Sequence, residues 1–96
     1  MNKYLLKLYV TGNSPRSERA IANLRRVCQE RLAGQYELVI IDILESPQLA
    51  EEDRVLATPM LIKQLPPPQR HVIGDLSNTE QLLLGLDLQP DVTPGA

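Results

Sequence analysis

Four prolines restrict this 96-residue chain more than any other feature: Pro59, and the consecutive Pro66, Pro67 and Pro68. Proline fixes φ and has no N–H, so none of the four can lie inside a helix or a central strand. They punctuate Leu56–Leu76 into two short apolar runs, Met60–Leu65 and His71–Ile73, entered through Thr58-Pro59 and left through Gly74-Asp75. X-Pro bonds also populate cis readily and exchange slowly. The segment is therefore either a proline-jointed hairpin or a place where the chain can be wired in more than one way.

The residues before this segment follow plainer rules. Tyr4–Val10 combines β-branched, aromatic and leucine residues with Lys3 and Lys7 as polar interruptions, which predicts a strand. Thr11-Gly12-Asn13 is a turn, Ser14 an N-cap, and Pro15 the first helical residue, with Glu18 near the positive helix end. Ala20, Ile21, Leu24, Val27, Cys28 and Leu32 then form one apolar stripe, and Gly34 is expected to close the helix. Tyr36–Leu44 reads as a strand buried on both faces, completing a right-handed βαβ unit.

Ser46-Pro47 repeats the cap-and-proline start and predicts a second helix over Pro47–Leu56. Strands over Met60–Gln64 and Arg70–Ile73 follow, joined by the proline turn. Ser77 with Glu80 matches a capping box for a last helix over Asn78–Leu86. Gly85 inside it costs about 1 kcal/mol relative to Ala, so Gly85→Ala should favour whichever arrangement makes that segment helical. Residues 89–96 are expected to be a frayed tail. The order is β-α-β-α-β-β-α, an α/β arrangement of thioredoxin type, with a proline just before the third strand where that fold keeps its cis-proline. Length points to one domain over residues 1–96.

Composition narrows the function classes. Phe and Trp are absent and only Tyr4, Tyr9 and Tyr36 are aromatic, so branched aliphatics pack the core, and many such packings lie close in energy. Residues 1–35 carry seven basic against two acidic side chains, whereas residues 36–96 carry three against ten. No basic patch interleaves with aromatics, so nucleic acid is not an expected partner. The start MNKYLLKLYV is too short and too charged for a membrane span or signal core, and a single cysteine cannot form an internal disulfide. A cytoplasmic protein without membrane association is expected.

A thioredoxin-type order invites a redox reading, but Thr11–Ser17, where the catalytic pair belongs, holds no thiol. Cys28 lies on the apolar stripe as a small hydrophobe. His71 stands without ligands at metal-binding spacing, no nucleophile has a visible base, and Gly12 alone makes no phosphate loop. Asp42 is expected to end a face or pair with a cation. No catalytic residue, metal or cofactor is predicted.

Four segments together resemble the KaiB family of circadian clock proteins: LKLYVTGNSP (Leu6–Pro15), IDILESPQLAEEDRVLATP (Ile41–Pro59), LPPPQRHVIGDLS (Leu65–Ser77) and LLLGLDL (Leu82–Leu88). The resemblance implies a non-enzymatic regulator that binds the N-terminal ring of KaiC, a hexameric ATPase, promotes its dephosphorylating phase, and competes with the sensor kinase SasA. It implies two folds. An oligomeric ground state, tetramer or dimer, keeps the first βαβ unit and rearranges the rest, and a rare thioredoxin-like monomer binds KaiC.

Tyr4, Gly85 and Asp87 match positions where substitution favours the thioredoxin-like state, and Pro59, Pro66, Pro67 and Pro68 are the candidate joints of the switch. Gln48, Glu51, Glu52 and Asp53, with Pro67 and Arg70 of the proline turn, are the expected KaiC surface. Val39 stands where clock KaiB carries a lysine, Glu37 where it carries a small residue, and the usual acidic tail is replaced by QPDVTPGA. These departures put KaiA, the family's other partner, in doubt. They are compatible with a KaiA-independent timer or stress-response system.

Overall fold

A computed structural model describes residues 3–86. Its elements run β1 (Tyr4–Val10), α1 (Pro15–Arg31), β2 (Tyr36–Asp42), α2 (Pro47–Glu52), β3 (Met60–Leu65), β4 (Arg70–Ile73) and α3 (Thr79–Gly85). They build one sheet in the order β2-β1-β3-β4, with β1 and β2 parallel and the other pairs antiparallel. This is the expected thioredoxin-like arrangement, with the proline turn joining β3 to β4. The Thr58-Pro59, Leu65-Pro66 and Pro67-Pro68 bonds are cis. Asp87 and the tail predicted over 89–96 lie outside the described residues.

Strand alternation sorts the side chains onto two faces. Leu6, Leu8 and Val10 of β1 join Leu61 of β3, the stripe of α1 (Ala20, Leu24, Val27, Cys28) and Leu82 and Leu86 at α3 in the larger core. Tyr9, Ile41, Met60 and Ile62 form a smaller cluster on the opposite face, with Ala50 of α2 and Val55 against it. α1 forms for the predicted reasons: the Ser14 side chain accepts from the Ser17 amide, Pro15 opens the helix and Glu18 sits in its first turn.

Four boundaries differ from the sequence reading, each for a local reason. β2 ends at Asp42 and is not buried on both faces. It is an edge strand, with Glu37 exposed and Val39 38% exposed. α1 passes through Leu32 into a left-handed Ala33, so Gly34 follows the capping turn rather than making it. α2 stops at Glu52, not Leu56, because Asp53 caps it and Arg54 turns to φ 55°, leaving Leu56 91% exposed. α3 is capped by Asn78, whose side chain accepts from the Gln81 amide at 3.0 Å. Ser77 instead donates its own amide to Asp75 Oδ1 at 3.1 Å.

Two polar residues also depart from expectation. Asp42 neither pairs with a cation nor merely ends a face. Its Oδ1 accepts the Gly12 amide at 3.1 Å and the Leu44 amide at 2.9 Å, tying together the turns that follow β1 and β2. Lys63, a charged residue within a predicted strand, is only 2% exposed, in register with the buried Leu6.

Candidate partner-binding face

The predicted docking residues divide by environment. Gln48, Glu51 and Glu52 stand exposed on α2, and Pro67, Pro68 and Arg70 are exposed at the proline turn. Asp53 points inward. Its Oδ2 accepts from Lys7 Nζ at 3.2 Å and from the Tyr9 hydroxyl, which also reaches the Leu49 carbonyl at 3.2 Å. Burial alone would push the Asp53 carboxyl up. Hydrogen bonds from Tyr9 and Lys7, with the charges of Lys7 and His71, outweigh that and hold it below the ordinary aspartate value. Burial, then the neighbouring Asp53, pushes the Tyr9 hydroxyl far up, so it remains a proton donor.

Register and alternation put α2 and the Arg70 side chain on opposite faces of the sheet. Lys7 is opposite Ile62, and Ile62 is opposite His71, so the C-terminal end of α2 lies over this row. The next residues along, Lys63 and Arg70, lead into the proline turn. No hydrogen bond or ion pair joins α2 to the turn among the described residues. The predicted residues therefore present an exposed acidic helix rim over one face and an exposed proline turn at the end of β3, forms suited to protein contact rather than to enclosing a small molecule.

Sequence reasoning missed Lys7 and Tyr9. The available signal was a lysine and a tyrosine two apart in a buried strand, and so on one face. Tyr9 is fully buried and needs a partner for its hydroxyl.

The residues predicted for a switch lie elsewhere. Tyr4 is half-buried at the edge of the larger core, opposite Tyr36. Pro59 is buried and its carbonyl accepts from the Gly74 amide at 2.9 Å. Pro66 is half-buried. Gly85 is the last residue of α3, and a Cβ there would come 2.7 Å from Val72 Cγ2. Helix propensity therefore does not act alone at Gly85; Val72 must move before an alanine fits.

The loop where a thioredoxin carries its dithiol is closed by hydroxyls. Ser14 Oγ donates to Ser17 Oγ at 2.9 Å, Ser17 Oγ accepts the Thr11 amide at 3.3 Å, and the Thr11 and Thr58 hydroxyls lie 2.6 Å apart. Each hydroxyl is engaged with another, and none meets a base that would activate it. Cys28 is buried in the larger core near the C-terminal end of α1, and burial pushes its thiol up to about 11, away from the thiolate that redox chemistry requires.

Against known families, the KaiB domain matches residues 7–88. The chain belongs to the KaiB family. Its relatives include the circadian clock protein KaiB3 of Synechocystis sp., 60% identical over 91 residues, covering 95% of this chain and 89% of that protein. The circadian clock oscillator protein KaiB of Prochlorococcus marinus is 58% identical over 88 residues, covering 92% and 82%.

Among solved structures, this KaiB-family chain is similar to the N-terminal domain of Synechococcus elongatus SasA. The TM-score is 0.74 at 27% identity, covering 97% of this chain and 91% of that one. Mitochondrial thioredoxin 3 of Saccharomyces cerevisiae shares the fold at TM-score 0.71 and 22% identity, over 91% of this chain and 79% of that one. No helix among the described residues is long and apolar enough to cross a membrane.

Proposed function

We propose that this chain is a non-catalytic regulator of a KaiC-type ATPase, a single KaiB-like domain that binds the N-terminal ring in the thioredoxin-like arrangement and promotes dephosphorylation. One observation carries the reading: a chain about as similar to clock KaiB proteins as those percentages state has the same fold as the N-terminal domain of SasA. Two proteins with one fold are natural competitors for one docking site. The exposed Gln48, Glu51 and Glu52, with Pro67 and Arg70, form the contact surface. The Thr11–Ser17 loop, with hydroxyls in place of thiols, supports the non-catalytic part.

The free chain exchanges between this fold and an oligomeric ground state, tetramer or dimer, that keeps β1, α1 and β2 and rearranges the remainder. Tyr4, Pro59, Pro66, Pro67, Pro68, Gly85 and Asp87 lie at the switching positions. β2 offers Glu37 and Val39 on an open edge where a lysine-bearing strand would meet KaiA, so the system works without KaiA, as a timer or in stress adaptation.

Mixing the purified chain with KaiC and ATP tests this. A slow association is expected, because a binding-competent minority lowers apparent affinity by its fraction. The rate should level off as the ring concentration rises. Absence of any complex would sink the proposal. The similarity to SasA favours one other reading, a constitutive adaptor, which would run as a monomer on size exclusion and bind without delay.

A further inference from the structure

We propose that Asp53 is the positioning residue of the α2 face: held by Tyr9 and Lys7, it sets how Gln48, Glu51 and Glu52 are presented to a partner. The inference rests on the reading of α2 as the docking edge. α2 has six residues, none of them buried, and Ser46 makes no side-chain cap bond. A helix this short is not stable by itself. A carboxylate at its C-terminal end also opposes the helix dipole, so Asp53 is misplaced for α2 alone. Only contacts to the sheet justify it.

Those contacts are specific. Tyr9 rises from the buried floor of the sheet and its hydroxyl meets both the Leu49 carbonyl and the Asp53 carboxylate, a backbone point and the capping residue of one helix. Lys7, two residues earlier on the same face, closes the other side of the carboxylate at 3.2 Å. The side chains of Lys7 and Asp53 are 23% and 18% exposed, so water competes weakly for either. The apolar support on this face is the smaller cluster, in which the half-buried Ile43, Ala50 and Val55 pack against Tyr9, Ile41, Met60 and Ile62, and Ala50 is the one residue that α2 itself adds. A non-directional apolar contact does not define an angle; the two polar groups carried by β1, Lys7 Nζ and the Tyr9 hydroxyl, do.

Tyr9 gives the test its leverage, because it is 0% exposed and cannot touch a partner. Tyr9→Phe, Asp53→Asn and the double variant are compared with Glu52→Gln for KaiC affinity and for residue-resolved amide exchange. Tyr9→Phe and Asp53→Asn should each weaken affinity about tenfold and accelerate exchange in residues 49–55 while α1 stays protected. The double variant should lose little more than either single one. Glu52→Gln should lower affinity without changing exchange.

Affinity lost with Asp53→Asn but kept with Tyr9→Phe would assign Asp53 to direct contact and overturn the proposal. So would exchange that rises evenly over the whole chain. If the unaltered chain fails to bind KaiC, the proposed function falls, and exchange in residues 49–55 still decides whether Asp53 fastens α2.

Discussion

On one face of the sheet, β1 presents Leu6, Leu8 and Val10 to α1, whose Ala20, Leu24, Val27 and Cys28 are buried against them. On the other face the same strand presents Lys7 and Tyr9 to α2, none of whose residues is fully buried. The first joint is held by apolar area, a non-directional force that tolerates changes of shape if volume is kept. The second combines a smaller apolar cluster with hydrogen bonds from Lys7 and Tyr9, which define a geometry but supply little area. A surface held in the second way can be loosened without unfolding the molecule.

The largest expected effect tests whether the faces differ at all. Leu24→Ala empties a site that is 1% exposed and should cost about 2–5 kcal/mol in chemical denaturation. Leu49→Ala, at a position 41% exposed on α2, should cost less than about 0.5 kcal/mol. Equal costs would erase the distinction between the two faces.

A smaller effect sharpens the packing on the α1/α3 side. Gly85→Ala offers about 1 kcal/mol of helix propensity, but its Cβ meets Val72 Cγ2 at 2.7 Å. β-branched Val72 is stiff about χ1. In a double-mutant cycle, Gly85→Ala should therefore be worth about 1 kcal/mol more in a Val72→Ala background than alone. Additivity would mean that Val72 turns aside without cost, leaving propensity to govern Gly85 after all.

How much of this the sequence revealed depended on how far apart the deciding residues lie. β1, α1 and β4 follow from alternation, capping and breakers within a few neighbours, and their predicted limits hold to within a residue. The cap of α3 was missed because Ser77 and Asn78 are adjacent candidates, and Asp75 claims the Ser77 amide first. β2 looked doubly buried because its Val39-Ile40-Ile41 run cannot reveal strand order, and only the sheet order makes it an edge. The acidic run of α2 was legible as a surface. The inward turn of Asp53 was not, since it is decided by Tyr9, 44 residues earlier in the chain.

The finest expected effect separates the faces by pH. Because the folded Asp53 carboxyl sits below its ordinary value, it contributes stability that is complete above about pH 4, the ordinary aspartate range. That contribution is lost as pH falls through the lower folded value. Tyr9, pushed upward, stays protonated throughout, so only the carboxylate titrates in this window. The carboxyl carbon of Asp53 should therefore titrate below the ordinary aspartate value, and the amides of residues 49–55 should shift in step with it. Those of α1, facing the larger core, should stay still. Asp53→Asn should abolish the part of the α2 shift that follows the Asp53 carboxyl. A carboxyl that titrates at or above the ordinary value would show that the hydrogen bonds from Tyr9 and Lys7 do not outweigh desolvation, and α2 would then have to be held by the smaller apolar cluster.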